Sequence, residues 1–407
     1  MNGQAKSASE AASQQAGAHV AYNAMVLRRP FTGVENAVAE QASALLNQAS
    51  PDLRTTVFWP RSLAALAPPV PGEGSRGQAV RLAGTSGINS RALRILWEQV
   101  RLPFVLGRGG FSLCHAPAYL APLAARCPVV LNVYDLHALD APERCRPLNR
   151  WNFRLLLPVS IRRAAAVLVP SDYTAAAVRR RFPEVASRIR QVPLGISSRF
   201  AERIRSGPDE TVADRTGITE ASQRKGYLLC VGNIEPRKSL STALDALRQL
   251  HERGFTQLRL VIAGRAVAGL PELVRAIEAS GVGEHVELKG YVPDEELPAL
   301  YGGALALVYP SIDEGFGLPL LEAMACGCPV VCSDVTAVEQ TVGSAALKFE
   351  AGSAVGLAAE VEQLLTDKAL RREMVMRGWR HAAGFTWQRV VMHVQEIYRE
   401  VLSGKGS

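Results

Sequence analysis

Short apolar runs alternate along this chain with stretches of helical spacing. Val20-Ala-Tyr22, Thr56-Val-Phe58, Phe111-Ser-Leu-Cys114, Val129-Val-Leu-Asn-Val133, Ala166-Val-Leu-Val169 and Ile189-Arg-Gln-Val192 are short runs that read as strands. Residues 34–48 and 172–182 between them carry helical patterns. A second series opens with Tyr227-Leu-Leu-Cys-Val231. Leu240, Ala243, Leu244, Leu247 and Leu250 follow at helical spacing, and Leu258 to Gly264 forms the next strand, which together make a βαβ unit. Further strands are expected at 286–288, 304–309, 329–332 and 345–349. A last helix over 387–402 presents Val390, Val394, Ile397, Tyr398 and Val401 on one face. Strands alternating with helices imply parallel sheets covered on both faces, so the fold class is α/β with two doubly wound domains. Ligands of such sheets bind outside the strand ends, here expected in a cleft that the two domains face.

The expected division is a disordered tail over 1–17, a first domain over 18–200, a linker over 201–225, a second domain over 226–385, and a crossing helix with tail over 386–407. Residues 201–225 are polar and hold Gly207-Pro208, and the Pro- and Gly-rich stretch 68–77 reads as a flexible loop. A hydrophobic content of 48% with 21% charged residues is ordinary for a globular protein. No apolar run approaches the roughly 18 residues of a membrane span. No basic start leads into an apolar core, so no secretory signal is expected. Of the seven cysteines Cys114, Cys127, Cys145 and Cys230 are scattered, and the odd count argues for a reducing compartment and a cytoplasmic location. Cys326, Cys328 and Cys332 have the wrong spacing for zinc and read as small packing residues.

Charge separates the halves. Residues 1–200 hold 24 Lys and Arg against 11 Asp and Glu, a balance of +13, which leaves −5 of the total +8 to the rest. The first half is therefore expected to meet an anionic partner. The stretch from Arg144 through Trp151, Phe153 and Arg163, with Arg179-Arg180-Arg181, offers arginines beside aromatic and leucine side chains. It reads either as a face resting on anionic lipid or as a core-facing helix with solvated arginines. Nucleic acid would explain the charge equally well, but not the two motifs below.

The richest segment is Tyr309-Pro-Ser-Ile-Asp-Glu314-Gly-Phe-Gly-Leu-Pro-Leu-Leu-Glu322-Ala. It reads as a strand, a glycine turn and a helix beginning at Pro319, with Glu322 in the first helical turn. Free backbone N–H groups at the helix start suit phosphate, whereas a carboxylate suits sugar hydroxyls. A ligand carrying both, such as a nucleotide sugar, fits. The segment Val231-Gly232-Asn-Ile-Glu-Pro-Arg237-Lys238-Ser239 follows the first strand of the second domain. Gly232 allows close backbone approach, and Arg237 and Lys238 can neutralise a diphosphate ahead of a helix capped by Ser239 or Ser241. No Asp-x-Asp pair and no metal-spaced cluster occurs. The diphosphate leaving group is then expected to be stabilised by side chains and helix ends, with no cofactor and no metal.

Gly-x-Ile-Glu-Pro-Arg237-Lys238 followed by Glu314-Gly-Phe-Gly-Leu-Pro-x-x-Glu322-Ala-Met-Ala resembles the retaining glycosyltransferases of family 4, in the mannosyltransferase-like branch. Phe31-Thr-Gly33-Val34, Val167 to Thr174, Val192-Pro-Leu-Gly-Ile196 and Phe385-Thr-Trp-Gln extend the likeness over roughly residues 18–402. The resemblance implies the GT-B fold, with two Rossmann-like domains and a C-terminal helix that crosses back to the first. It implies that Glu322 binds the ribose hydroxyls, that Glu314 faces the donor sugar, and that Arg237 and Lys238 hold the diphosphate. The backbone of Gly315, Phe316, Gly317 and Leu318 would touch sugar or phosphate. Lys289 to Val292, with Tyr291, would lie near the base, and Gly33 would let a first-domain loop approach the phosphates.

One departure stands in Val133-Tyr134-Asp135-Leu-His137. The family places His immediately before the Asp-Leu pair, in contact with the donor sugar, and this chain has Tyr134. Tyr134 can donate a hydrogen bond but shuttles protons poorly at neutral pH. Asp135 and His137 are then candidates for acceptor contacts, and His137 reads equally as a structural histidine.

The expected function is transfer of a hexose, foremost mannose from GDP-mannose, to a glycan or lipid-linked acceptor in surface polysaccharide or glycolipid synthesis. It would proceed at the cytoplasmic face of a membrane and without nucleic acid. The alternatives are a degenerate nucleotide-sugar-binding subunit and a UDP-sugar-dependent glucosyl or N-acetylhexosaminyl transferase. An epimerase on the same fold lacks support from the motifs.

Overall fold

The structure, a computed structural model, describes residues 17–29, 31–48, 50–70, 78–83, 91–140, 147–206 and 226–404, without the side chains of 138, 140 and 147–152. The expected tail (apart from Gly17), most of the 68–77 loop, most of the 201–225 linker, and Arg144 to Arg146 lie outside the described residues. The chain forms two compact units, one of residues up to Gly195 together with those from Trp387, the other of Ile196–Thr386.

The first unit holds a seven-stranded parallel sheet in the order β3-β2-β1-β4-β5-β6-β7. Its strands are β1 Ala18–Asn23, β2 Leu53–Pro60, β3 Ala79–Ala83, β4 Leu113–Ala116, β5 Val129–Asn132, β6 Ala166–Val169 and β7 Ile189–Gln191. The strands β4, β5 and β6 are buried at every residue, because helices cover both faces of a parallel sheet. That is why their sequences are continuous apolar runs. The strand β3 is an edge strand with three exposed residues, and no apolar run announces it. Its helices include α1 Gly33–Asn47 and α2 Arg91–Leu96, which passes through a π-helical turn at Trp97–Arg101 into α3 Leu102–Arg108. They also include α4 Pro147–Arg163 and α5 Asp172–Arg181.

The second unit holds a six-stranded parallel sheet in the order β10-β9-β8-β11-β12-β13. The strands are β8 Tyr227–Val231, β9 Arg259–Ala263, β10 Val286–Gly290, β11 Ala306–Tyr309, β12 Val330–Ser333 and β13 Leu347–Phe349. A helix, α6 Ser198–Arg205, opens this unit and occupies the start of the segment expected to be linker. Phe200 anchors it at 6.0 Å from the Tyr301 ring, so a polar sequence still folds once one aromatic side chain is buried. Further helices are α7 Leu240–Glu252, α8 Leu297–Gly303, α9 Leu318–Ala325, α10 Ala354–Thr366 and α11 Lys368–Ala382.

The last helix, α12 Trp387–Leu402, belongs to the first unit. Val390, Val391, Val394, Ile397 and Tyr398 join the core formed by β1, β2 and α1. In each sheet the order reverses beside the first strand of its unit, between β1 and β4 and between β8 and β11. The loops at those strand ends are where open α/β sheets bind ligands.

Candidate active site

The loops leaving β8 and β11 bring the two sequence motifs together. After β8, Gly232 adopts φ +139° and its N–H donates to Ala263 O at 3.0 Å. The positive φ imposes glycine at 232, whereas at 264 close packing does, since a Cβ there would lie 1.8 Å from Gly232 O. A short 3₁₀ turn, Pro236–Lys238, then swings Arg237 and Lys238 back over the sheet end. Ser239 stands at the N-cap of α7 in the left-handed region, φ +46°, and its Oγ lies 2.9 Å from Thr242 Oγ1.

Lys238 is buried, and its Nζ donates to Tyr309 Oη at 2.9 Å and to Glu314 Oε1. Tyr309 Oη in turn donates to Glu314 Oε1 at 2.9 Å. Arg237 Nη1 lies 3.1 Å from Glu314 Oε1 and donates to Asp313 O at 3.0 Å, while its Nε donates to Glu235 Oε2 at 2.7 Å. Burial alone would raise the Glu314 pKa, but Lys238 and Arg237 outweigh it and hold the carboxyl down at about 2. Glu314 was expected to face a sugar; here it lies between the two cations. The reason is physical: a buried Lys238 needs a counter-charge, and Glu314 is the carboxylate that the turn delivers. These two hydrogen bonds use two of the three ammonium N–H groups of Lys238.

The turn after Glu314 is held from behind. Phe316 is buried with its ring 6.1 Å from Phe385, and its carbonyl accepts from Thr341 Oγ1 at 2.6 Å. Gly317 takes φ +96° and caps α9, and a Cβ there would come 2.7 Å from Leu320 Cδ1. Gly315 lies in the turn itself. The helix begins at Leu318, one residue before the expected Pro319, which puts Glu322 just past its first turn. Tyr301 Oη donates to Glu322 Oε2 at 2.9 Å. Burial dominates there and raises the Glu322 pKa to about 7. Tyr291 follows β10, is 47% exposed, and stacks under the Arg265 guanidinium at 4.2 Å. A small recess of about 10 Å³, room for roughly one water molecule, lies among Gly232, Asn233, Lys238, Tyr309, Pro310 and Ser311.

The remaining candidates belong to the first unit. Gly33 opens α1, where a Cβ would meet nothing within 4 Å; the adjacent Thr32 N–H donates to Glu35 Oε2 at 3.1 Å. Tyr134 was expected to offer its hydroxyl to a sugar. Instead it is 8% exposed, and its Oη donates to Pro117 O at 2.9 Å, so its single proton is engaged. Burial pushes its pKa further above the phenol range. Asp135 and His137 are partly exposed; Asp135 accepts from the His137 N–H at 3.1 Å and from Tyr119 Oη at 2.9 Å. Tyr119 is one of two non-glycine residues at positive φ among those described, +60°, the other being Ser239. Both flank a sheet end, where backbone strain concentrates at functional loops. Sequence reasoning missed Tyr119, Glu235, Tyr301 and Tyr309. Only Tyr309 had a signal, as the last residue of the strand before the glutamate turn.

Cys326, Cys328 and Cys332 are buried free thiols, each pushed up to about 12 by burial and therefore unreactive. Among the described residues no group of three His, Cys, Asp or Glu side chains is placed to hold a metal ion.

Two family models match the chain: Glycosyltransferase Family 4 over residues 31–200 and Glycosyl transferases group 1 over 216–380. The O-antigen chain mannosyltransferase B of Escherichia coli is 32% identical over 286 residues, covering 70% of this chain and 73% of that protein. Sucrose-phosphate synthase from Thermosynechococcus elongatus superimposes with a TM-score of 0.71 at 19% identity, over 95% of this chain and 100% of that one. Anabaena HepE, solved in complex with UDP-glucose, gives a TM-score of 0.66 at 17% identity, over 94% of this chain and 99% of that one. With these likenesses covering both units, and with the two motifs gathered at one sheet end, the chain belongs to glycosyltransferase family 4: it is a hexosyltransferase of GT-B fold in the mannosyltransferase-like branch.

Proposed function

We propose that the chain transfers a hexose, foremost mannose from GDP-mannose, with retention of configuration, to a glycan or lipid-linked acceptor in surface polysaccharide or glycolipid assembly. The observation that carries this reading is the buried Lys238–Glu314–Arg237 cluster, which joins the turn after β8 to the turn that leads into the helix of Glu322. A diphosphate entering beside Gly232 would draw Lys238 and Arg237 partly away from Glu314. The charge released on Glu314 would then face the sugar hydroxyls, and Glu322 would accept from the ribose. In the transfer, the bond from the sugar C1 to the diphosphate oxygen breaks and the oxygen keeps the electron pair. The acceptor oxygen bonds to C1, and its proton passes to the departing diphosphate. Arg237 and Lys238 stabilise the charge that develops there without an ion. The mannosyltransferase named above supports mannose, whereas the HepE complex favours a UDP-sugar as the second reading.

Calorimetric titration with GDP, UDP and their sugars tests the donor site. Glu322→Ala should weaken binding roughly ten- to a hundred-fold, the loss of a charge-assisted hydrogen-bond pair. Lys238→Ala should cost more than Arg237→Ala, because Lys238 is the more deeply buried cation. Unchanged affinity in Glu322→Ala would remove the ribose assignment. A subunit without catalysis would bind nucleotide sugars yet leave them unhydrolysed, and the engaged Tyr134 hydroxyl is what keeps that reading open to the same assay. Location at the cytoplasmic face of a membrane is part of the proposal; no described helix is long and apolar enough to cross one.

A further inference from the structure

The helical stretch 91–108 turns apolar side chains both ways. Ile95, Leu102 and Leu106 enter the core of the first unit. On the other side Leu93, Leu96, Val100 and Phe104 are 48%, 57%, 64% and 48% exposed. Their spacing of three, four and four residues makes one continuous stripe along the helix. An amphipathic helix of a globular domain keeps that side polar, so four large apolar groups there need an explanation.

The charges beside the stripe supply it. Arg101 and Arg108 are exposed, and their guanidinium groups lie 5.6 and 4.3 Å from the centre of the Phe104 ring. Glu98, the one carboxylate of the stretch, is buried, accepts from Asn23 Nδ2 at 3.2 Å, and lies 3.8 Å from Arg94 Nε. The exposed side is thus apolar and positive with no acidic group. The neighbouring helix α4 continues the pattern in part: Arg91 stacks over Phe153 at 5.2 Å, and α4 exposes Leu155 and Val159 together with Arg154 and Arg163, while Arg162 is paired with Glu184 Oε1 at 2.7 Å. A protein partner of ordinary composition needs no such one-sided charge. An anionic lipid surface needs both features, arginines at the headgroups and large apolar side chains at the acyl boundary.

We propose that the exposed stripe Leu93–Phe104, flanked by Arg101 and Arg108, is a docking surface for an anionic lipid membrane. The inference rests on the reading of a membrane-borne acceptor and names the surface that meets it.

Flotation of the full chain with vesicles of phosphatidylcholine alone or mixed with phosphatidylglycerol, at low and high salt, tests it. The wild-type chain should bind the anionic vesicles and release from them at high salt. Leu96→Glu/Val100→Glu and Arg101→Glu/Arg108→Glu should each lower vesicle binding at least about ten-fold. Both variants should keep the far-ultraviolet circular dichroism, nucleotide affinity and donor hydrolysis of the wild type. No vesicle binding by the wild type overturns the proposal, as does full binding by Leu96→Glu/Val100→Glu. So does a wild-type dimer, seen by light scattering, that this variant splits while vesicle binding is absent. Failure of the transferase reading would show separately, as absent nucleotide binding and donor hydrolysis in the wild type.

Discussion

Glu322 shows what a single side chain contributes here. Burial beside Tyr301 raises its pKa to about 7, so near neutrality the free protein holds a proton on part of its molecules. In the proposed donor site the ribose hydroxyls donate to Glu322, which requires the carboxylate, so binding there would expel that proton. Donor affinity should therefore fall about ten-fold for each pH unit below 7 and level off above 8. A nucleotide sugar is the right titrant, since its diphosphate has no group titrating in that window. Calorimetry in buffers of different ionisation enthalpy should register the released proton, and Glu322→Gln should abolish the pH dependence. The raised pKa acts on stability with the opposite trend. The contribution is fully present below the unfolded value near 4.5 and is lost as pH rises through 7. The motif singles out Glu322 as a candidate ligand group; its protonation state was not legible, because Tyr301 reaches it from 21 residues away and supplies no local signal.

At the scale of elements, α12 is held to the sheet of the first unit by a polar contact inside an apolar seam. His115 is fully buried, with Nδ1 2.5 Å from Tyr398 Oη and Nε2 2.8 Å from Asn132 Oδ1. Burial lowers its pKa to about 4, so the ring is neutral at physiological pH. Tyr398→Phe keeps the ring packing and leaves one imidazole nitrogen without its partner. It should cost about 1–3 kcal/mol of stability in urea unfolding, with nucleotide affinity unchanged. The helix itself was legible, since Val390, Val394, Ile397 and Tyr398 repeat with its period. So were the central strands, whose burial on both faces writes them as continuous apolar runs. The edge strand β3 and the helix α6 were not, because an edge strand exposes most of its side chains and α6 buries only Phe200.

The whole molecule consists of two units with separate hydrophobic cores, and the proposed donor groups lie in the second. A ligand that binds one folded unit stabilises that unit by mass action. Scanning calorimetry with a nucleotide sugar at about 100 times its Kd should raise the transition of the second unit by the equivalent of about 2.7 kcal/mol and leave the other in place. Equal shifts in both transitions would mean that the donor groups extend beyond Ile196–Thr386.

The sequence by itself determined the two parallel-sheet units, the pairing of the Arg237-Lys238 and Glu314–Glu322 motifs, and the basic bias of the first half. Those properties depend on periodicity, composition and motif spacing, which are local. Tertiary structure alone decided that Glu314 lies between Lys238 and Arg237, that the Tyr134 proton is engaged by Pro117, and that the apolar stripe Leu93–Phe104 faces outward. Each of these depends on which groups are left without water or a partner once distant segments have packed, and no local pattern records that balance.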